Sequence, residues 1–513
     1  MDVSLATVGY ALVASAVTAF CVAWLNWVWL KPNKLEYLLR RQGFSGNRYR
    51  LLKGDDQDRL DMEKKALSCH MSLSSDISSR VSPFLLSTVR KYGRNSFVWV
   101  GPVPFVNITQ PDSIGEVFTK HYEIKKANSN PLIKLLAEGL ANHEGQKWAN
   151  HRRIITPAFH MANLKSMMPI FVECCELMIS KLEAERDVDM WLRLQELSCD
   201  TISRAAFGSH YEEGTRIFEL LKLQSGVVSQ VIRSTYIPGW RFLPTRTNRT
   251  MRNLDKEIKA LIYQVISKRE KALAAGDEPS DDIIGLLIHS NKSETKQELK
   301  MTMNDVMEEC KLFYLAGQET TSAMLVWTMV MLAMHPRWQD TARKEVFDVF
   351  GEKTPDFDNL CRLKKIPMIF NEVLRLSPPV ANLTRAVDED VTIGNLVMPG
   401  GVHLNLPAIL VHRDVALWGA DALEFNPERF AGGVSSAAKQ FSFFPFGAGP
   451  RNCIGQRFSL LNAKLALCMI LQRFWFELSS EYVHAPRYAV TIQPQHGALI
   501  FLHNLSFLRR EIN

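Results

Sequence analysis

Residues Phe444–Phe458 read FPFGAGPRNCIGQRF: a single cysteine, Cys453, stands between Gly449 and Gly455, with Arg451 two places before it. Beyond it Phe458, Leu461, Leu465, Cys468, Met469 and Leu471 recur at helical spacing, so Cys453 lies where a loop turns into a helix. A thiol at that place faces the positive end of the helix dipole and free backbone N–H groups, which predicts a lowered pKa and a stabilised thiolate. Gly449 and Gly455 allow a tight turn and close approach to a flat object. The Arg451 guanidinium suits a carboxylate on that object. A thiolate beside a flat, carboxylate-bearing ligand describes haem with an axial cysteine. A buried structural cysteine would account for Cys453 alone, but not for Phe446, Gly449, Arg451 and Gly455 together.

The rest of the chain sets the context. Its 513 residues are 46% hydrophobic, enough for a large core, and carry a net charge of +7. That mild excess fits an anionic membrane surface or an acidic partner. No basic run with interleaved aromatics is present, so nucleic acid is not expected as a partner. The nine cysteines are scattered, odd in number and free of CxxC spacing, which reads as reduced thiols in a cytosol-facing domain.

Val3 to Leu30 carries no charge and is long enough to cross a bilayer, so residues 1–30 are expected to be a transmembrane signal-anchor. Lys31, Lys34, Arg40 and Arg41 follow it, against Asp2 before it, which places the remaining chain in the cytoplasm by the positive-inside bias. A cleaved secretory peptide with Ala14-Ser15-Ala16 as its site is the alternative; the missing basic n-region and the apolar stretch that would survive cleavage speak against it. Residues 31–55 read as a polar, basic linker and 56–513 as the catalytic body. SFVWVGPVPFVNIT (Ser96–Thr109) reads as short strands. A mainly helical pattern runs from about 130 to 376, broken by charged loops at Gly276–Asp282 and Asn291–Lys300, and strand-like pieces return at 380–410 and 485–503. The expected fold class is mainly α with a small β lobe. Five Asn-x-Ser/Thr sequons occur, of which Asn248 and Asn291 fall in polar, loop-like stretches.

Five further stretches stand out. LAGQETTS (Leu315–Ser322) lies inside a long apolar helix that opens near Asn304-Asp305 and stops at Pro336. Gly317 and the β-branched Thr320-Thr321 weaken that helix locally and make room for a ligand face, while Glu319 and Thr320 give an acid beside an alcohol. A glutamate and two threonines on an ordinary core helix remain the alternative at this point. Glu372-x-x-Arg375 puts opposite charges on one helix face ahead of Pro378-Pro379. Trp148-x-x-x-Arg152 lies in KWANHRR, Arg385 in LTRAVDED and Arg429 in FNPERF.

Phe446-x-x-Gly449-x-Arg451-x-Cys453-x-Gly455 resembles the haem-binding loop of the cytochrome P-450 monooxygenases, and the other motifs follow in that family's order. The resemblance covers essentially the whole chain. LEYLLRRQGFSGNRYRLLKGD, YGRNSFVWVG, HRRIITPAFH and LFYLAGQETTS are similar to the plant branch that contains secologanin synthase and the triterpenoid and gibberellin oxidases. The Pro-Pro-Gly-Pro hinge common after the anchor is absent, leaving Lys31-Pro32-Asn33, and Arg457 and Asn462 depart from the pattern in the helix after the cysteine, where they are expected to alter surface charge.

The resemblance implies the cytochrome P-450 fold with an N-terminal transmembrane helix, and haem as cofactor with Cys453 as the ligand of its iron. It implies Thr320 with Glu319 as the proton-delivering pair. Propionate contacts fall to Trp148, Arg152, Arg385 and Arg451, and a structural triad to Glu372, Arg375 and Arg429. It also implies O2 and a small apolar, terpenoid substrate. It further implies electrons from NADPH–cytochrome reductase, which would meet Lys147, Arg153 and Arg457, and residence as a single-pass protein of the endoplasmic reticulum membrane with its catalytic domain cytosolic. Candidate substrate contacts are Lys126–Leu140, Ala316, Val380–Leu383 and Gln495–Gly497. A haem-thiolate isomerase or dehydratase would not need Thr320, and a non-catalytic haem sensor would need neither the proton pair nor the reductase surface.

Overall fold

The computed structural model describes residues 5–127, 130–208, 211–232, 235–276, 282–292 and 300–505. The two expected charged loops fall largely outside these residues. Helices dominate. The longest is the central helix Met303–Met334, opened by a capping box in which Thr302 and Asp305 satisfy each other's backbone N–H groups, and closed before Pro336. Its side chains are buried on nearly every face, against the helices Met190–Phe207 and Gln456–Arg473 among others, and this apolar mass is the main core. The expected helix after Cys453 runs from Gln456 to Arg473 and buries Phe458, Leu461, Leu465, Cys468, Met469 and Leu471, as its spacing requires.

The strands are β1 (Phe97–Val100), β2 (Val103–Asn107), β3 (Ile124–Lys126), β4 (Asp187–Asp189), β5 (Leu383–Val387), β6 (Val391–Ile393), β7 (Leu396–Met398), β8 (His403–Leu406), β9 (Phe474–Leu478), β10 (Pro486–Tyr488), β11 (Ile492–Pro494) and β12 (Leu499–Asn504). The β lobe is the five-stranded sheet β1-β2-β8-β5-β3, antiparallel except for the β2–β8 pair. Its register sets Lys126 directly opposite Arg385 across β3 and β5. A second sheet, β4-β12-β9, and the hairpin β10–β11 lie against the helical body.

At the N-terminus Leu5–Leu25 is helical, passes through a π-helical stretch Asn26–Leu30, and continues as the helix Lys31–Arg41. Gly9–Arg41 is long and apolar enough to cross a membrane, and its most apolar stretch is almost wholly unburied by the protein, which fits a single-pass anchor. Residues 31–55, expected as a linker, are ordered differently. Leu35 and Leu39, four apart on one face of the helix, bury with Phe44 and Tyr49 in the core of the β lobe, and Tyr49 Oη donates to Val28 O at 2.7 Å. The polar residues that suggested a linker occupy the opposite face. The sequon at Asn248 also differs from expectation: it lies in the helix Arg246–Ala274, fully buried, with Nδ2 donating to Trp240 O and Leu243 O. Asn291 ends the helix Ile283–Lys292 and donates to Met301 O. All nine cysteines are free thiols.

Candidate functional site

The cysteine loop closes on itself. Gly449–Arg451 forms a 3-10 turn, Asn452 N donates to Gly449 O at 3.1 Å, and Cys453 N donates to Phe446 O at 2.9 Å. Gly449 has φ +69°, and a Cβ there would meet Phe118 O at 2.6 Å, so glycine is required by backbone conformation and by the neighbouring chain alike. Gly455 caps the following helix at φ −86°, and the nearest atom to a Cβ there is Phe159 Cε1 at 3.7 Å; the protein itself does not demand glycine at 455. Phe446 is half-buried against the main core.

Cys453 is accessible, unlike Cys174, Cys175, Cys199, Cys310 and Cys468, which are buried. Desolvation by the surrounding protein pushes its thiol pKa up, outweighing the Gly455 N–H and the Arg152 charge that pull it down. The lowered pKa expected from the helix terminus is thus not met in the protein alone, because desolvation of a thiolate exceeds what one N–H and one guanidinium return. Binding to a metal ion removes that proton outright.

Beside this loop lies a group of cations short of anions. Arg451 donates to His143 O at 3.0 Å and to Glu144 Oε2, lies 4.6 Å over the Trp148 ring, and leaves its buried Nε unpartnered. Arg385 is buried, its one hydrogen bond going to Thr384 O at 2.9 Å. Lys126 stands opposite it, and like charges directly opposite in a ladder destabilise it. Burial, then the neighbouring arginines, bring Lys126 down to about 7, and burial with Arg451 brings Arg385 down to about 10. Glu144 is the carboxylate within this group, accepting from Lys126 N as well as from Arg451. Among the described residues neither Arg385 nor Lys126 makes an ion pair. Two buried guanidinium groups and a half-buried lysine with one carboxylate, next to an accessible thiol, are a donor set that fits a dianionic, thiolate-bound macrocycle.

Arg152 is placed otherwise than its motif implied. Its two guanidinium nitrogens hold Asn452 O at 2.8 Å and Asn452 Oδ1 at 2.9 Å, so it clamps the residue before Cys453. It shares the helix Gly145–Ile155 with Trp148. In the sequence Lys126 stands only as the first residue of a candidate substrate loop and Glu144 carries no signal, because an IKK strand end and a lone loop acid have no pattern; pairing with Arg385 across the sheet and with Arg451 gives them meaning.

On the central helix the side chains of Ala316 and Thr320 are open while their neighbours are buried. Thr320 Oγ1 donates to Ala316 O at 2.7 Å. Glu319 is turned away: it is buried, and its Oε2 accepts from Thr491 Oγ1 and Gln493 Nε2, both at 3.2 Å, with burial raising its pKa. The structure does not bring Glu319 and Thr320 together as an acid and an alcohol. Gly317 faces Ile202, whose side chain a Cβ would meet at 2.8 Å, so the glycine serves close helix packing instead of opening space for a ligand. Gln495, a candidate substrate contact, is engaged by Arg80 at 2.7 Å.

The charge triad assembles away from this face. Arg375 grips Glu372 with two bonds of 2.7 Å, both side chains fully buried, and donates also to His412 O, Ala422 O and Glu424 O. Arg429 stands 3.8 Å from Glu372 Oε1 and binds Asp421 Oδ2 at 2.7 Å, so its stronger partner is Asp421. On the surface Lys147 pairs with Asp305 at 2.6 Å, while Arg153 and Arg457 are exposed. Asn462, expected to alter surface charge, is buried.

A family model described as Cytochrome P450 matches residues 78–500. The chain belongs to the cytochrome P450 family. It is 50% identical to Cytochrome P450 72A397 of Kalopanax septemlobus over 515 residues, covering 97% of this chain and 99% of the relative. It is 49% identical to 7-deoxyloganic acid hydroxylase of Catharanthus roseus, covering 94% and 95%, and 48% identical to Cytochrome P450 72A15 of Arabidopsis thaliana, covering 98% and 100%. The chain is accordingly a plant-type cytochrome P450, a monooxygenase that carries haem on an axial cysteine thiolate.

Proposed function

We propose that this cytochrome P450 hydroxylates an apolar terpenoid skeleton, with Cys453 as the haem ligand and electrons supplied by NADPH–cytochrome reductase. The observation that carries the reading is the accessible Cys453 thiol beside the anion-poor group Arg385, Arg451 and Lys126. When bound, haem supplies the activation of O2 for insertion of one oxygen atom into a C–H bond, and a thiolate ligand favours O–O cleavage. The protein's part is positional. Arg451, Arg385 and Lys126 take the propionate charges, with Trp148 stacked beneath Arg451; Arg152, through Asn452, fixes the loop that aims Cys453. The Thr320 hydroxyl, its proton held by Ala316 O on an open stretch of the central helix, presents its Oγ1 lone pairs on the substrate side, where it would accept a hydrogen bond and relay a proton. Glu319 keeps a buried acid one residue away, tied to β11.

The relative named 7-deoxyloganic acid hydroxylase supports a terpenoid or terpenoid-acid substrate. Arg153 and Arg457 are exposed cations suited to an acidic reductase face. We place residues 1–30 as anchor in the endoplasmic reticulum membrane and the following chain in the cytosol; Lys31, Lys34, Arg40 and Arg41 support that orientation. Thr320 favours monooxygenation over isomerase or dehydratase chemistry and over a sensor. The test is reconstitution of the full-length protein with reductase in vesicles, against a terpenoid panel that includes 7-deoxyloganic acid. The expected result is a hydroxylated product that requires both NADPH and O2. Turnover without O2, or haem binding with no NADPH consumption on any panel member, overturns the reading.

A further inference from the structure

Behind the Arg451 clamp lie three buried side chains that the proposed chemistry leaves unused. His143 follows the short helix Gly139–Asn142, His151 lies on the Gly145–Ile155 helix, and Glu309 comes from the central helix one turn after its capping box. Glu309 is fully buried, and His151 and His143 expose 4% and 8% of their surface. Their donor atoms all lie within 4.8 Å of one another. His151 Nδ1 stands 2.6 Å from Glu309 Oε1, His143 Nε2 stands 4.0 Å from the same oxygen, and the imidazole rings are 4.6 Å apart.

Among the described residues two of these atoms have no partner. His143 Nε2 and Glu309 Oε2 are both buried and unbonded, and each such atom costs about 1–3 kcal/mol. Both belong to the same cluster, so one shared partner would satisfy both. Gly139 keeps the backbone clear of this point: a Cβ there would meet Glu309 Oε2 at 2.7 Å. Nearby charges do not supply the partner, since Lys147 is paired with Asp305.

We propose that His143 Nε2, His151 Nδ1 and the Glu309 carboxylate form a site for a divalent ion of the zinc type, distinct from the haem. Two imidazoles and one carboxylate are a recurrent zinc donor set, with water in the fourth position. Bonds of about 2.0–2.1 Å in a tetrahedron set donors about 3.3 Å apart. The observed separations of 2.6 and 4.0 Å bracket that spacing and the remaining one lies within 4.8 Å, so shifts of no more than about 1.5 Å bring the three donors into place. The ion's place would be structural. His143 O and Glu144 Oε2 grip Arg451, so a metal at His143 fixes the turn that holds the cysteine loop and joins it to the central helix.

The experiment uses full-length, haem-loaded protein purified through a tag without histidine, incubated with zinc chloride, desalted, and analysed for zinc and iron. One zinc per iron is expected, with at least a tenfold loss of zinc in His143→Gln and in Glu309→Gln. Stripping the wild type with dipicolinate should lower its thermal midpoint, and zinc chloride but not magnesium chloride should restore it. Zinc below about a tenth of the iron in the wild type overturns the site and leaves the cluster a water-bridged polar network. So does zinc retained by both variants, or a midpoint indifferent to stripping. The wild-type measurements decide the matter even where a variant fails to fold.

Discussion

Replacing Arg375 with alanine removes one member of a buried pair in which both charges are fully enclosed. The guanidinium gives two bonds to Glu372 and three to the carbonyls of His412, Ala422 and Glu424, and lies 5.1 Å over the Trp418 ring. Glu372 would be left with Asn426 N at 2.9 Å and a distant Arg429. Stranding one buried charge in this way costs about 3–5 kcal/mol, a large share of the roughly 5–15 kcal/mol that holds a folded domain. At about 2.1 cal/mol/K of unfolding entropy per residue, a chain of this length loses about 1 °C of thermal midpoint per kcal/mol, so Arg375→Ala should melt about 3–5 °C lower. The double variant Glu372→Gln/Arg375→Met leaves no stranded charge and should lose less than the sum of its two single changes. Circular dichroism melts, followed in parallel with the haem absorbance, measure both. A midpoint for Arg375→Ala within 1 °C of wild type, or strict additivity in the double variant, would refute the reasoning.

Thr320→Ala should keep haem and substrate binding and continue to consume NADPH, with less product and more peroxide per NADPH; an unchanged product yield would make the Thr320–Ala316 bond purely structural. Gly449→Ala meets both a left-handed φ and Phe118 O, so it should cost roughly 1–3 kcal/mol and lower the haem-loaded yield; wild-type yield and midpoint would contradict this. Glu319 has its pKa raised above the ordinary 4.5 by burial. An acid shifted up contributes stability that is full below its unfolded pKa and lost as pH rises through the folded value. Glu319→Gln should therefore gain on the wild type in thermal midpoint as pH goes from 5 to 8, and a pH-independent difference would show that the carboxyl is not desolvated as described.

The motif residues were legible because each signal is local: Cys453 before a periodic helix, Glu372 and Arg375 three apart, Asn304-Asp305 opening the central helix. Local spacing also gave the helical body and the strands at 97–107. What it could not give was direction. Glu319 and Thr320 are neighbours in sequence, yet a helix sets consecutive residues about 100° apart, and only the presence of β11 decides which one is drawn away. Gly317 looked like room for a ligand until Ile202 was seen against it. The polar look of residues 31–55 hid a two-faced helix, because Leu35 and Leu39 have a meaning only once the β lobe lies beneath them. Lys126 takes its meaning from Arg385, Glu144 from Arg451, and the His143–His151 pair from Glu309, each partner more than 150 residues away in the chain.

The central claim is that Cys453 is the ligand of a haem monooxygenase. It is tested most directly by the difference spectrum of the dithionite-reduced, carbon-monoxide-treated protein, recorded for the wild type, Cys453→Ala and Cys453→His at matched protein concentration. The account predicts the red-shifted thiolate band in the wild type, loss of haem in Cys453→Ala, and in Cys453→His some retained haem without that band. A wild-type band in either variant would contradict it.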